Sequence, residues 1–272
     1  MLDVQAGNEA IKNLILSEKP FLVNRMRSEM DVVFKMMKGI PLADGNHNNL
    51  FVNCGVYPYA DVEQIGLFTK ETMSSMFLTD AWGYCTYFVP YQDWFIQNGS
   101  RSKCVFDFIA LEPFYHETPW TLELSGKKVL IVHPYVNTMK EQEPKLLEIW
   151  NGKRLFDNVE FKYLESVQSI AGNAPHSSWS ESYEHMKSQI NEIDFDVALL
   201  GCGGYGMPLS GYIKSIGKSA VYIGGGLQLV FGIKGKRWDE SDISGHYNEH
   251  WVRPSVKEVP NNHALVEGGC YW

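Results

Sequence analysis

Residue types with chemical potential gather in a few short stretches of this chain. Gly201-Cys-Gly-Gly-Tyr-Gly206 sets glycines at 201, 203 and 206. That is the G-x-G-x-x-G spacing, in which one glycine permits a tight turn, one lets backbone approach a phosphate and one allows close helix–strand packing. Gly224-Gly225-Gly226 forms a second glycine turn, and the two together describe a crevice open to close backbone approach. Arg25, Ser28, Glu29 and Asp31 make an early charged segment. Its carboxylates suit a hard cation such as Mg2+ or Mn2+, or else they offset a helix dipole behind a Ser28 cap. Lys234, Lys236 and Arg237 are the densest basic cluster, placed to neutralise a diphosphate or simply to be solvated. His133, at the end of an apolar run, reads as a general base or as a satisfied core histidine.

The same stretches argue against other chemistries. A dinucleotide site needs a carboxylate about 20 residues past its glycine turn to hold the ribose. Here the next strand, through Ile223, ends in glycines, so NAD is not expected. A Walker loop fails because Arg237, not Ser or Thr, follows Gly235-Lys236. His246-Tyr-Asn-Glu-His250 spells an inverted zinc-protease pattern, but Gly245 and Pro254 leave it no sustained helix, so zinc is not expected either. Asp194-Phe-Asp196 precedes its strand, the wrong end of a parallel sheet for a ligand.

Composition bounds the partners. The 272 residues are 44% hydrophobic with a formal net charge of -8, the make-up of a globular protein whose acidity argues against nucleic-acid binding. Five cysteines without a C-x-x-C pair suit a reducing cytoplasm rather than a disulfide framework. No apolar run reaches membrane-span length, so peripheral association with a membrane assembly is the membrane contact left open to a cytoplasmic chain. Aromatic residues crowd between Tyr57 and Trp94, as sugar-stacking surface or as bulky core.

These residues need a scaffold, and periodicity predicts one. Pro20 to Asn24 reads as a strand, Ser28 onward as a helix, residues 40–50 as a flexible loop and Ala60 to Phe77 as an amphipathic helix. Strands are expected at Lys127–His133, Val159–Leu164, Phe195–Leu200 and Ala220–Ile223. Helices alternate with them: one opened at Asn137 or Thr138, with Glu141 three residues after Thr138 as in a capping box, and running to Trp150, then Glu181–Asn191 and Leu209–Ile216. Such alternation implies an α/β fold, a Rossmann-like parallel sheet with helices on both faces and ligands beyond the strands' carboxyl ends. Residues 232–272 read as an irregular C-terminal wrap. One domain over 1–272 is expected, with the acidic and aromatic-rich segments in 1–125 and the nucleotide-binding turns in 126–272.

Longer stretches carry a resemblance. Gly126-Lys-Lys-Val-Leu-Ile-Val-His-Pro134, the turn from Gly201 to Leu209, Gly217 to Gly225, Phe231 to Trp238, Tyr247-Asn-Glu, Trp251-Val-Arg-Pro254 and Glu267-Gly-Gly-Cys-Tyr-Trp272 together resemble bacterial proteins of surface-polysaccharide gene clusters, relatives of the GT-D-fold glycosyltransferases. The resemblance covers nearly the whole chain and is densest from residue 126. It implies a nucleotide-diphosphate-sugar donor held by Arg25, Ser28, His133, Gly201, Gly203, Gly204, Tyr205, Gly206, Gly224, Gly225 and Lys236. It implies catalytic roles for Glu29, Asp31 and Arg237, with Glu29 and Asp31 as ligands of Mn2+ or Mg2+, and a surface polysaccharide or other glycan as acceptor. The family's acidic pattern, R-x-G-D-x-E, is only partly kept: Arg25 matches, but Arg27 replaces the glycine, Ser28 the first acid and Met30 the glutamate. That departure keeps open a non-catalytic accessory protein that binds a nucleotide or glycan.

Overall fold

The computed structural model describes residues 1–87 and 89–272. Its strands are β1 (Leu22–Arg25), β2 (Ala81–Tyr84), β3 (Val105–Asp107), β4 (Lys128–His133), β5 (Glu160–Glu165), β6 (Val197–Leu200) and β7 (Ser219–Tyr222). Its helices are α1 (Val4–Leu16), α2 (Met30–Lys38), α3 (Asp44–Asn48), α4 (Val62–Leu78), α5 (Gln92–Asn98), α6 (Val136–Gln142), α7 (Leu146–Ile149), α8 (Trp179–Asn191), α9 (Gly206–Ser215) and α10 (Gly226–Val230). Among the described residues the strands form one seven-stranded sheet, in the order β3-β2-β1-β7-β6-β4-β5. Every pairing is parallel.

Parallel strands buried on both faces need apolar residues in both phases of the pleat. In β4, Leu130 and Val132 enter one core while Val129 and Ile131 enter the other. The first core takes residues of α2, α4, α5, α8 and α9, among them Phe68, Trp179 and Leu209. The second takes Ile11 of α1, Met139 of α6, Ile149 of α7 and Leu227 of α10, with Trp120, Trp150 and Trp251. Helices therefore cover both faces, as the alternation of elements implies. Beyond α10 the chain runs as short 3-10 turns and one isolated bridge, Ile233 to Val252, which is the irregular wrap. Among the described residues no helix is long and apolar enough to cross a membrane.

Local readings fail where distant residues take over. The helix expected behind a Ser28 cap starts at Met30, with Glu29 in the N-cap place and no side-chain cap. Residues 44–54, expected within or beside a flexible loop, coil into α3 and a wide helical turn that buries Leu50 and Cys54. The capping box at Thr138 does not form. Instead Glu258 of the wrap accepts hydrogen bonds from the Asn137 and Thr138 amides (2.8 and 3.2 Å) and from the Thr138 hydroxyl. Pro144 then interrupts the helix, because proline lacks the amide and its ring clashes with the preceding turn.

The chain order sets where a ligand can lie. From β1 the chain steps outward through β2 to β3, then crosses to β4, goes out to β5 and returns through β6 to β7 beside β1. The connection after β4 leaves toward one edge and that after β6 toward the other, which opens a crevice at their carboxyl ends. β1 and β7 diverge in the same way, one connection leading to β2 and the other into the wrap.

Candidate functional site

Two adjoining cavities occupy that carboxyl edge. A slot of about 70 Å3 lies over β4, β5 and β6. A basin of about 440 Å3 lies over β1, β3 and β7 under the wrap. Arg27, Gly224, Gly225 and Tyr271 line both.

The slot is built where strands end in small residues. A Cβ at Gly201 would sit 2.6 Å from His133 Cδ2 and 2.8 Å from Gly224 O, so only glycine lets the ends of β4, β6 and β7 approach. Gly203 has φ +57°, the left-handed region that glycine adopts without cost, and its carbonyl accepts the Tyr222 hydroxyl at 2.9 Å. Gly204 lines the slot, and a side chain there would strike the Cys54 carbonyl. Gly206, outside both cavities, serves packing instead: a side chain there would overlap the Tyr222 ring. Tyr205 is buried, with its hydroxyl 2.8 Å from Ser169 Oγ.

His133 is 2% exposed and its Nδ1 accepts the Tyr135 amide at 3.0 Å. Burial pushes its pKa down to about 3, so the ring is neutral at ordinary pH and carries its proton on Nε2. It is a neutral wall of the slot, with Nδ1 already occupied. Around it, the side chains of Tyr135, Tyr271 and Trp272 supply aromatic surface. Ser166 Oγ, Gln168 Oε1 and Trp272 Nε1 are buried without a hydrogen-bond partner, and all three residues line this slot. Unpaired buried polar atoms cost roughly 1–3 kcal/mol each, and a ligand edge offering both donors and acceptors would satisfy them.

The basin is built from charge. Arg25, the last residue of β1, donates to Ile223 O (3.2 Å) and to the Tyr87 hydroxyl (2.5 Å), and leaves its Nε unpartnered. Arg237 pairs with Glu267 and lies 4.4 Å from the centre of the Tyr271 ring. Arg27 stands between slot and basin beside the Tyr222 hydroxyl, and among the described residues its guanidinium makes no ion pair. Burial disfavours its charge, but Tyr222, Glu29 and Tyr271 more than offset that, and the group stays protonated. Ser28 is exposed at the rim. At Gly226 a Cβ would lie 2.5 Å from Glu112 Oε1, so glycine again makes room for a chemical group.

Three expected side chains lie elsewhere. Asp31 lines neither cavity: Lys35 Nζ (2.7 Å) and Asn46 Nδ2 (2.6 Å) hold it on the flank of α2. Lys236 turns outward and donates to Gly268 O at 3.2 Å. Glu29 is buried with Cys54 Sγ 4.0 Å away and lines neither cavity. Glu29 and Asp31 thus diverge, and among the described residues no three His, Cys, Asp or Glu side chains converge. The pair does not fit the shared Mn2+ or Mg2+ site that the resemblance implies. The other discounted motifs stay apart from the cleft: Asp194 pairs with Lys128 at the opposite edge of the sheet, and the turn containing His246 ends before His250.

Sequence reasoning missed Arg27, read only as a departure from a motif, and Glu112. Nothing in the sequence around Glu112 signals a site; the crossover from β3 brings it under the second glycine turn. Its side chain makes no hydrogen bond or ion pair among the described residues, and burial, opposed by Arg25, pushes its carboxyl up to about 7.

No protein-family model matches the chain, and no curated protein does. Two solved structures are similar to it. One is a glycosyltransferase (DUF1792) from Streptococcus sanguinis, with 15% identity, 92% of this chain and 94% of that chain covered, and a TM-score of 0.46. The other is a selenomethionine-substituted structure of domain of unknown function 1792, with 12% identity, 93% and 96% covered, and a TM-score of 0.41.

Proposed function

We propose that this chain is a glycosyltransferase that binds a nucleotide-diphosphate sugar along the carboxyl edge of the sheet and passes the sugar to a glycan acceptor. The observation that carries the reading is Arg27, a charged guanidinium shared by slot and basin that makes no ion pair among the described residues. In this reading the nucleoside enters the slot, where aromatic faces enclose a base and Ser166, Gln168 and Trp272 meet its polar edge. The diphosphate lies beside Arg27, between Gly203 and the turn at Gly224, where backbone can come close. The sugar then reaches into the basin. Charge develops on the diphosphate as the bond to the sugar breaks, and guanidinium groups already in place stabilise it without reorganising. Arg27 and Arg25 serve this role directly; Arg237 does so after exchanging Glu267 for phosphate.

A second reading, a non-catalytic nucleotide- or glycan-binding protein, is favoured by the divergence of Glu29 and Asp31. A panel of UDP-, GDP- and CMP-sugars, with and without Mn2+, separates the two when binding is followed by calorimetry and turnover by release of nucleotide. Binding with turnover supports transfer, and binding without turnover supports the accessory role. No binding of any member overturns both.

A further inference from the structure

We propose that Glu112 is the general base that activates the acceptor hydroxyl, and that the tyrosine-rimmed basin around it is the acceptor subsite. The assignment rests on the glycosyltransferase reading above. Four observations support it. Glu112 lines the basin, on the floor beneath the turn at Gly226. Its carboxyl has no partner among the described residues, whereas Asp31, Glu258 and Glu267 are each tied to a donor. The half-exposed Tyr87 and Tyr115, with Phe108, line the same cavity; flat rings at a pocket mouth suit the apolar faces of a sugar. The residue also shares the basin with Arg25, Arg27 and Arg237, so an acceptor there lies beside the group that departs.

The step balances simply. The acceptor oxygen gives its proton to the Glu112 carboxylate and bonds to the anomeric carbon of the donor. The carbon–oxygen bond to the diphosphate breaks, and its electron pair leaves with the nucleotide. Attack from the basin, opposite a leaving group held between the glycine turns, inverts the anomeric centre. A carboxyl whose pKa burial raises to about 7 is matched to this task, since a base works best when its pKa lies near the working pH. The titratable and charged groups facing it across the basin are Arg25, Arg27, Arg237, Tyr87, Tyr115, Tyr271 and Glu267, with Asp242 close to Tyr115.

Hydrolysis of the sugar donors, in which water replaces the acceptor, tests this without knowledge of the glycan. For the donor that the wild type turns over, Glu112→Gln should lower kcat by about 10²–10⁴-fold while leaving the Kd for UDP, or for the nucleotide of that donor, essentially unchanged. Glu112→Asp should retain intermediate activity. Azide, an anionic nucleophile that needs no deprotonation, should restore turnover to Glu112→Ala and yield an inverted glycosyl azide, a rescue that a purely structural role would not give. Full activity of Glu112→Gln, or a released sugar of retained configuration, overturns the assignment while leaving the glycosyltransferase reading intact. A wild type that binds nucleotide but turns over no donor removes the reading and the assignment together.

Discussion

The slot and the basin share a wall, yet burial acts on them in opposite senses. In the slot, desolvation strips a proton from His133 and leaves a neutral ring among aromatic faces and glycine backbone. In the basin, desolvation keeps a proton on Glu112 up to about pH 7, amid guanidinium groups that are charged at any ordinary pH. One cause, the cost of a charge in a poorly solvated place, leaves a neutral imidazole in one cavity and, in the other, a carboxyl that titrates near neutrality. In the function proposed above, the slot is therefore suited to recognition and the basin to chemistry. Arg27 joins them, and in the function proposed above it is where a diphosphate would reach from a nucleoside in one to a sugar in the other.

The strongest way to break this comparison is to remove the shared residue. Arg27→Ala should weaken binding of the donor's nucleotide by about 1.5–3 kcal/mol, or about 10–150-fold, the worth of hydrogen bonds to a charged group. Calorimetry checks this, and an unchanged affinity would mean that the two cavities do not serve one ligand. Next in size is Gly201→Ala, whose Cβ meets both His133 and the Gly224 carbonyl. Crowding of this kind costs about 1–3 kcal/mol. The thermal midpoint should fall and nucleotide binding should go with it, because the added methyl pushes apart His133 and Gly224, two walls of the slot. A melting curve like that of the wild type would show that the walls yield.

A third experiment sharpens the contrast through pH. His133 has a folded pKa of about 3 against an ordinary 6.5, so below pH 6.5 the unfolded chain gains a proton that the folded chain refuses. Stability should fall as the pH drops from 6.5 toward 3, by up to about 1.4 kcal/mol per pH unit. Glu112 works the other way, with a folded pKa of about 7 against 4.5. Its contribution is full below pH 4.5 and is lost as the pH rises through 7. Denaturant titrations across the acid range should show the acid-side loss flattened in His133→Gln and the opposing slope removed in Glu112→Gln. Equal profiles for both variants and the wild type would dissolve the comparison. The smallest effect belongs to Asp31→Asn. Outside both cavities, it should leave nucleotide affinity unchanged and cost at most about 1 kcal/mol of stability, the range of an exposed ion pair. A large loss of affinity would return Asp31 to the site.

Much of the scaffold was legible from the residues. Strands β4, β6 and β7 are apolar in both phases and end in glycine turns or His133, and those ends became the slot. β2 and β3 were not legible, because Ala81-Trp-Gly-Tyr84 is broken by a glycine and Val105-Phe-Asp107 ends in a charge after two apolar residues, so neither shows the continuous apolar run that marks the equally short β6 and β7. α1 escaped for another reason: Asn8 and Lys12 are buried on its inner face, and besides its neighbour Glu9 the partners of Asn8 are Thr118 and Trp120 from far along the chain. Within the site, the glycines and Arg25 could be named in advance because backbone geometry and strand ends are local properties. Glu29, Asp31 and Lys236 were misplaced because a side chain's direction depends on partners such as Asn46 and Gly268 that no spacing reveals.

The sequence by itself determined the alternation of strand and helix, the glycine turns and hence the edge of the sheet at which a ligand can sit, since periodicity and backbone sterics are written residue by residue. Only the tertiary structure decided which charges meet there. The crossover from β3 brings Glu112 beneath Gly226, the wrap brings Arg237 and Tyr271 over the basin, and the burial that shifts His133 and Glu112 in opposite directions comes into being only when the elements pack.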